Sequence, residues 1–409
     1  MDQEIKTGKR EVSNADGGPQ GGWSTQLAAD HQEILDQADR YARAELYPLA
    51  QRMDDEEWWP DEAFRGLAAQ GYLGVTASED HGGAGLDIFT SGLIAQAFAR
   101  WNHAFALAWV VHENLCLNNI DANADPDQRA RFLPKLTSGE WIGALGLTEP
   151  GAGSDALGSM RTTAVRDGDD YVLNGSKIYI TNGPIADVVL VYAKTDMALG
   201  SKGVSAVVVP TTTPGFVVAQ KLTKMGYRGS QTAELVFQDC RVPAANRLRG
   251  ENQGVQVVMS GLDLERAMIS PLLLGICERA LELTVDYAKT RQQFGKPIGE
   301  FQMIRAKLAD MYVWVETMRG LTYQTLAECA AIGHGEGGRG RIHALTAASI
   351  MYAAETTSRL LNEAVQVHGG IGYIWESEIN RLFRATKLME IGAGTTEIRK
   401  LIIADELLR

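Results

Sequence analysis

Cysteine is sparse in this chain: Cys116, Cys240, Cys277 and Cys329 stand singly, with no CxxC spacing. Neither a zinc site nor a disulfide framework is expected, and the four thiols read as reduced. Cations are also in deficit. Against 51 Asp and Glu there are 39 Lys and Arg, a net charge of -12, which argues against a sequence-independent grip on nucleic acid or on an anionic membrane surface. No apolar run reaches the roughly 20 residues of a membrane span. The opening residues lack the basic, then apolar, then small-residue pattern of a secretory signal. No His, Cys or carboxylate pair has metal-ligand spacing, and no internal repeat is present. The expectation is a metal-free cytoplasmic protein with neither nucleic acid nor membrane as partner.

What is present is an ordinary globular composition, 409 residues with 45% hydrophobic and 22% charged, enough for a large core and roughly two or three domains. Residues 1–24 are polar and Gly-rich and read as a disordered tail. Residues 25–141 read as an N-terminal α-helical domain. Ile34, Ala38, Tyr41, Ala42 and Leu46 recur at helical spacing, and further helical stretches cover 61–70, 88–101, 106–120 and 126–136. The acidic run Asp54-Asp55-Glu56-Glu57 reads as a solvated loop. Residues 142–248 change texture to short β-branched runs, at 171–173, 188–192, 204–209, 216–219 and 233–237. Asp167-Gly168-Asp169, Asn174-Gly175 and Pro214-Gly215 punctuate them as turns. An antiparallel β-sandwich or barrel of about 100 residues is expected, without the helix-by-strand alternation of a Rossmann fold. Residues 249–409 return to long amphipathic segments at 255–290, 298–331, 341–369 and 395–408, which predict a four-helix bundle. The fold class is thus α+β.

Three segments carry chemistry. Leu145-Gly146-Leu147-Thr148-Glu149-Pro150-Gly151-Ala152-Gly153-Ser154-Asp155 has small residues that let backbone N–H groups approach a ligand, though alone it reads more readily as a tight turn. Lys177-Ile178-Tyr179-Ile180-Thr181 offers an aromatic face and a hydroxyl two residues apart, hence on one side of a strand. Together they suit a flat heteroaromatic ring such as a flavin. The third is Glu265, a carboxylate inside an apolar helical segment, where desolvation would raise its pKa and make it a better base. The plainer reading is an ion pair with Arg266. A later Gly-rich turn, Ile391-Gly392-Ala393-Gly394-Thr395-Thr396-Glu397, has no acid at its third position, which leaves Glu390 and Glu397 as rival carboxylates. His112 reads as a core histidine, and His368 as packing rather than catalysis.

The strings LTEPGAGSD, NGSKIYITNG, RQQFGKPIGEFQ, QVHGGIGY and EIGAGTTEIRK resemble the acyl-CoA dehydrogenase family in order and spacing, across nearly all of residues 25–408. VMSGLDLER, with CRVPAANRLRGENQGV before it, resembles the isovaleryl-type branch of that family. The resemblance implies an FAD-dependent homotetramer that oxidises a short branched acyl-CoA and hands its electrons to an electron-transferring flavoprotein. By matching position it implies that Leu145, Leu147, Thr148, Gly153 and Ser154 line the flavin edge, Ser154 also nearing the pantetheine arm. Tyr179 would pack on the ring and Thr181 hydrogen-bond to it. Arg291, Gln293, Phe294 and Gln302 would hold the FAD of a neighbouring subunit, Gln366, Gly369 and Gly370 its adenine side, and Thr395 and Glu397 the second Gly-rich turn. Glu265 would be the base, since Ala393 stands where most of the family carries it. Asp263 and Arg266 would contact the CoA portion, with Ala393 and Gly394 at the thioester. Met389 stands where isovaleryl enzymes carry Tyr, so a longer-chain or biosynthetic thioester, or another flavoenzyme chemistry on the same scaffold (oxidase, monooxygenase, desulfinase), stays open.

Overall fold

The computed structural model describes residues 27–332 and 339–409. The tail expected at residues 1–24 lies outside them.

The first helices are α1 (Ala29–Tyr41), α2 (Ala50–Glu56) and α3 (Asp61–Arg65), followed by α4 (Ile88–Val110). Asp87 caps α4 by accepting from the Thr90 N–H at 2.8 Å, satisfying a donor that the helix start leaves free. Asn102 interrupts α4 with non-helical backbone. Its side chain accepts from Phe105 N at 3.1 Å and donates to Leu46 O at 2.9 Å, replacing the helical bonds lost there. Beyond Val110 the helix widens into a π-helical stretch, Val111–Asn118, before α5 (Asn119–Asn123). A capping box between Asp125 and Gln128, with Pro126 at the first position, opens α6 (Pro126–Thr137).

The strands are β1 (Gly143–Gly146), β2 (Thr163–Asp167), β3 (Asp170–Thr181), β4 (Val188–Lys194), β5 (Val204–Pro210), β6 (Phe216–Lys221), β7 (Thr232–Pro243) and β8 (Arg247–Leu248). They run in the order β6-β7-β3-β2-β4-β5-β8, with β1 alongside β4. Every residue of β4 is buried, and its alternation feeds two cores. Val188, Leu190 and Tyr192 join Cys116, Leu136 and Val257 of the helices, while Val189, Val191 and Ala193 meet Leu173, Leu235 and Phe237 of β3 and β7. The sheet therefore folds over itself. Not every pair is antiparallel, however: β1 and β2 both pair parallel to β4. Hairpin signals in a sequence report only neighbours joined by a tight turn. The β1 partner comes from 45 residues away, with Gly143 opposite Val188, a pairing that local pattern does not encode.

The remaining elements are α7 (Gly254–Thr290), the two-residue strands β9 (Gln292–Gln293) and β10 (Lys296–Pro297), α8 (Gln302–Ile332), α9 (Gly340–His368), α10 (Gly370–Tyr373), α11 (Glu378–Ala385), α12 (Leu388–Ile391) and α13 (Thr396–Leu407). At 37 residues α7 is about 55 Å long. One core holds Leu93 and Phe98 of α4, Leu272 and Leu273 of α7, Met318 and Leu326 of α8, and Leu360 and Leu361 of α9. The acidic run at residues 54–57 is not a loop but the end of α2, with Asp55 and Glu56 exposed and the other two drawn inward. Asp54 is buried on α2 and paired with Arg384 of α11, and Glu57 pairs with Arg228 at 3.0 Å.

Helix α7 crosses α4 at Gly275, where an added Cβ would stand 2.1 Å from the Gln96 carbonyl oxygen. Gly275→Ala should therefore cost about 1–3 kcal/mol by overpacking, seen as a lowered Tm. At Gly151, where a Cβ meets nothing within 4 Å, the same substitution should leave Tm nearly unchanged. Equal effects at the two positions would show that the helix crossing is not tight.

Candidate active site

Strand β1 delivers half-buried Leu145 and, beyond its end, Leu147 and Thr148 to a loop that closes tightly. Glu149 and Ala152 exchange backbone hydrogen bonds at 3.1 and 3.0 Å. The Thr148 carbonyl accepts from Ile178 N of β3 at 2.9 Å. Beneath the loop lies a pair to which the sequence reading assigned no role. Lys177, fully buried on β3, donates from Nζ to Glu149 Oε1 at 2.8 Å and to the Leu147 carbonyl at 3.1 Å. Glu149 also accepts from Arg161 N at 2.6 Å and Thr162 N at 2.9 Å. Burial pushes the Lys177 ammonium down to about 8 against the pull of Glu149. Burial works to raise Glu149, but Lys177 and the N–H donors outweigh it and hold the carboxyl below its ordinary value. Removing either charge would strand the other in a dry place. The available signal was a lysine within the alternating run Lys177–Thr181.

Gly153 and Ser154 are exposed on this loop, and a Cβ on Gly151 or Gly153 would meet nothing within 4 Å. Near the loop's anchor on β3, Tyr179 has left-handed backbone, φ 62°, at a register shift between β3 and β7. Its ring is 67% exposed, while Ile180 turns into the core and Thr181 is half-buried. Asn182 ties the strand end down, donating to Ala108 O at 2.8 Å and Gly143 O at 3.1 Å. An aromatic face left uncovered on a tethered strand, close to a bare small-residue loop, fits a flat ring with polar edges such as the isoalloxazine of a flavin.

Glu265 is half-buried on α7. Burial pushes its carboxyl up to about 7, against the opposing pull of Arg266 and Arg399. Its charge in turn contributes to the raised pKa of the Tyr192 phenol on β4, whose main cause is burial. Among the described residues, no hydrogen bond or ion pair of the Glu265 side chain is present, so the ion pair with Arg266 is not formed. The rivals differ. Glu390 is held below its ordinary value because Lys387 and Ser358 outweigh its burial, with Lys387 Nζ at 2.5 Å. Glu397 is lowered by the backbone N–H at the start of α13 and by Thr395. Glu113 is also raised by burial to about 7, yet both its oxygens are occupied by Gly74 N and Val75 N at 2.7 and 3.0 Å. It staples a loop.

The Gly-rich turn has left-handed backbone at Ala393, φ 55°, and Gly394, φ 85°. Arg399 donates from Nη2 to the Gly392 carbonyl, and Thr395 caps α13 by accepting from Ile398 N at 3.4 Å. Leu145 and Ala393 both pack against the core that holds Leu264 and Met268 of α7. Strand β1, helix α7 and the Gly-rich turn thus each contribute to that core.

Asp263 and Arg266 do not face outward. They are 1% and 4% exposed. Arg266 Nη1 lies 3.2 Å from Asp263 Oδ1, which is 2.7 Å from His343 Nδ1 and accepts from Thr346 at 3.4 Å. Three residues apart on α7, these side chains share the face turned to α9. Arg291, Gln293, Phe294 and Gln302 form a separate, exposed patch. Phe294, φ 51°, and Gly295, φ 80°, make the tight turn between β9 and β10, leaving the Phe294 ring 94% exposed. Ile298, between these residues, packs on Val367, and Tyr287 stacks on buried His368 at 4.5 Å. This end of α7 thereby sits beside Gln366, Gly369 and Gly370 at the end of α9, where again a Cβ on either glycine would meet open space.

Models of the acyl-CoA dehydrogenase N-terminal, middle and C-terminal domains match residues 28–140, 144–240 and 252–408. The chain is 40% identical over 395 residues to a 2-methylacyl-CoA dehydrogenase of Solanum tuberosum, covering 95% of this chain and 94% of the relative. It is 41% identical over 382 residues to an isovaleryl-CoA dehydrogenase of Pongo abelii, covering 92% and 88%. The solved structure of butyryl-CoA dehydrogenase from Megasphaera elsdenii superimposes with a TM-score of 0.89 at 36% identity, over 94% of this chain and 99% of that one. With all three family domains matched, the chain belongs to the acyl-CoA dehydrogenase family of FAD-dependent oxidoreductases acting on CH–CH bonds.

Proposed function

We propose that this chain dehydrogenates a short branched acyl-CoA of the isovaleryl type to the trans-2-enoyl-CoA, with Glu265 as base. The observation that carries this is the Glu265 carboxyl itself, raised by burial to about 7 and without a hydrogen-bonded partner among the described residues, whereas Glu390 and Glu397 are held below the ordinary carboxylate value. A base poised near neutrality combines the correct protonation state with driving force for proton transfer. Glu265 takes the α-proton. Bound FAD supplies the acceptor for the β-hydride, at N5. The left-handed turn at Ala393 presents its backbone N–H to the thioester oxygen as negative charge develops there, an interaction worth about 3–4 kcal/mol per donor. The apolar residues Leu145 and Leu264 exclude water from the reacting carbons.

In this reading Leu145, Leu147, Thr148, Gly153, Ser154, Tyr179 and Thr181 hold the isoalloxazine. Arg291, Gln293, Phe294 and Gln302, with Gln366, Gly369 and Gly370, hold the pyrophosphate and adenosine across a subunit boundary. The exposure of the Arg291 patch supports a ligand or second chain covering it. A guanidinium there provides a bidentate grip on phosphate. Assembly is as a homotetramer, and an electron-transferring flavoprotein reoxidises the flavin. The branched-acyl preference draws on the relatives at about 40% identity.

Glu265→Gln should keep bound FAD and ligand affinity while slowing anaerobic flavin bleaching by roughly a thousandfold or more. In the parent enzyme the bleaching rate should rise with pH through about 7 as the carboxyl ionises. Near-parental bleaching in Glu265→Gln sinks the assignment. Lys177→Met leaves Glu149 buried and unpaired, at a cost of about 3–5 kcal/mol, and should release FAD on gel filtration. Adding Glu149→Gln in the same chain should restore part of the retention, and no restoration would mean that the pair does not hold the loop. Across a panel of acyl-CoAs, isovaleryl-CoA should bleach the flavin faster than butyryl- or palmitoyl-CoA. The reverse order would place the substrate elsewhere in the family, with Met389, buried against the same core, as the first residue to question.

A further inference from the structure

Arg399 has no role in the reading above, yet its position is costly. It is fully buried on α13. One of its nitrogens, Nη2, donates to the Gly392 carbonyl, while Nε and Nη1 find no acceptor among the described residues. A second guanidinium, Arg266, lies close enough to repel it, and its own Nε is likewise unpartnered. Two cations buried together with spare donors make poor packing residues. Asp263 pairs with Arg266, and Glu265 is the carboxylate that feels both cations.

We propose that Arg399 is a positioning residue for the dehydrogenation: it clamps the Gly392 carbonyl, so fixing the Ala393 N–H, and holds a cation beside the Glu265 base. The inference rests on Glu265 and the Ala393 turn acting as described under the proposed function. One side chain then serves both ends of the reaction. The clamp acts one residue before the left-handed Ala393, where an alanine is strained and needs support from its surroundings. Burial alone would push Glu265 higher than about 7, and the cations oppose it. The groups that share this field are Arg266 on α7, Tyr192 on β4, Glu390 on α12 and Glu355 on α9. Asp263 and His343 engage Arg266 on its other side. Of the two cations acting on Glu265, Arg399 is the one with no ion pair among the described residues.

The test is the pH profile of anaerobic flavin reduction by isovaleryl-CoA in the full-length holoenzyme, with Arg399→Gln and Arg399→Lys. Loss of the cation raises the pKa of the base, so the acid limb of the Arg399→Gln profile should move up by about one pH unit. The saturating rate should fall roughly a hundredfold, with KM little changed and FAD retained. Arg399→Lys keeps a charge but not the guanidinium reach, so its midpoint should return to the parental value while its rate stays depressed. A packing role alone would lower FAD content and Tm and leave the midpoint where it was, and that result overturns the proposal. Should Arg399→Gln fail to fold, Arg399→Lys decides, since a parental rate in that variant refutes the clamp. Parental enzyme that no acyl-CoA bleaches overturns the dehydrogenase reading instead, and this inference with it.

Discussion

The geometry around the active site is governed by the cost of burying charge. Lys177 and Glu149, Asp263 with Arg266 and His343, and Arg399 with Glu265 are all withdrawn from bulk water. A buried ion is tolerated only when partners replace its hydration. Each group therefore pins whatever supplies those partners. Lys177 and Glu149 together engage one carbonyl and two backbone N–H groups, and so determine the path of the loop after β1. Asp263 and Arg266 lock α7 to α9. The exception is informative. Glu265 has an opposing field but, among the described residues, no direct partner, so the cost of burial outweighs the two cations and raises its carboxyl toward neutrality.

Helix α7 brings these groups into one place. Its N-terminal turns share a core with Cys116, Leu136 and Tyr192 through Val257 and Val258, and its middle joins the bundle core with α4, α8 and α9. Its last turns carry Ala288 and Tyr287 into the small cluster under Ile298 and Val367. A rigid rod about 55 Å long that enters three cores cannot shift at one end without disturbing the others. The glycine at the α4 crossing removes the one side chain that would hold the two helices apart. Glu265, carried on such a helix, is held by packing along its whole length.

What local pattern encodes was legible in the sequence. The apolar period placed a helix over 255–290 where α7 runs Gly254–Thr290, and one over 341–369 where α9 runs Gly340–His368. The apolar neighbours of Glu265 pointed to desolvation, and burial is the largest cause of its raised pKa. What was missed depends on partners distant in sequence. Gly143–Gly146 has no strand alternation, and it becomes a strand only because β4 lies parallel beside it. Asp54 read as solvated because Arg384, 330 residues on, is invisible from its own segment. Lys177 needed Glu149, 28 residues before it, to become an interior lysine. Orientation is a further property that spacing alone leaves open. Asp263 and Arg266 fall in a motif beside Glu265, but a step of one or two residues on a helix turns a side chain by 100° or more, which sets Glu265 off the face where Asp263 and Arg266 meet α9.

That rotation also bears on why a base could sit on α7 rather than on the turn at Ala393. A carboxylate at Ala393 would occupy a left-handed position that disfavours any side chain. It would also stand one residue from the carbonyl that Arg399 grips. On α7 the carboxyl keeps helical backbone and packed neighbours, and it meets the same guanidinium only through the field, without a direct bond. Freed of the acid, the turn needs only to offer backbone N–H groups. In the proposed reaction the two tasks of taking a proton and stabilising an oxyanion fall to different elements, and Arg399, which grips the Gly392 carbonyl and acts on the Glu265 charge, links them.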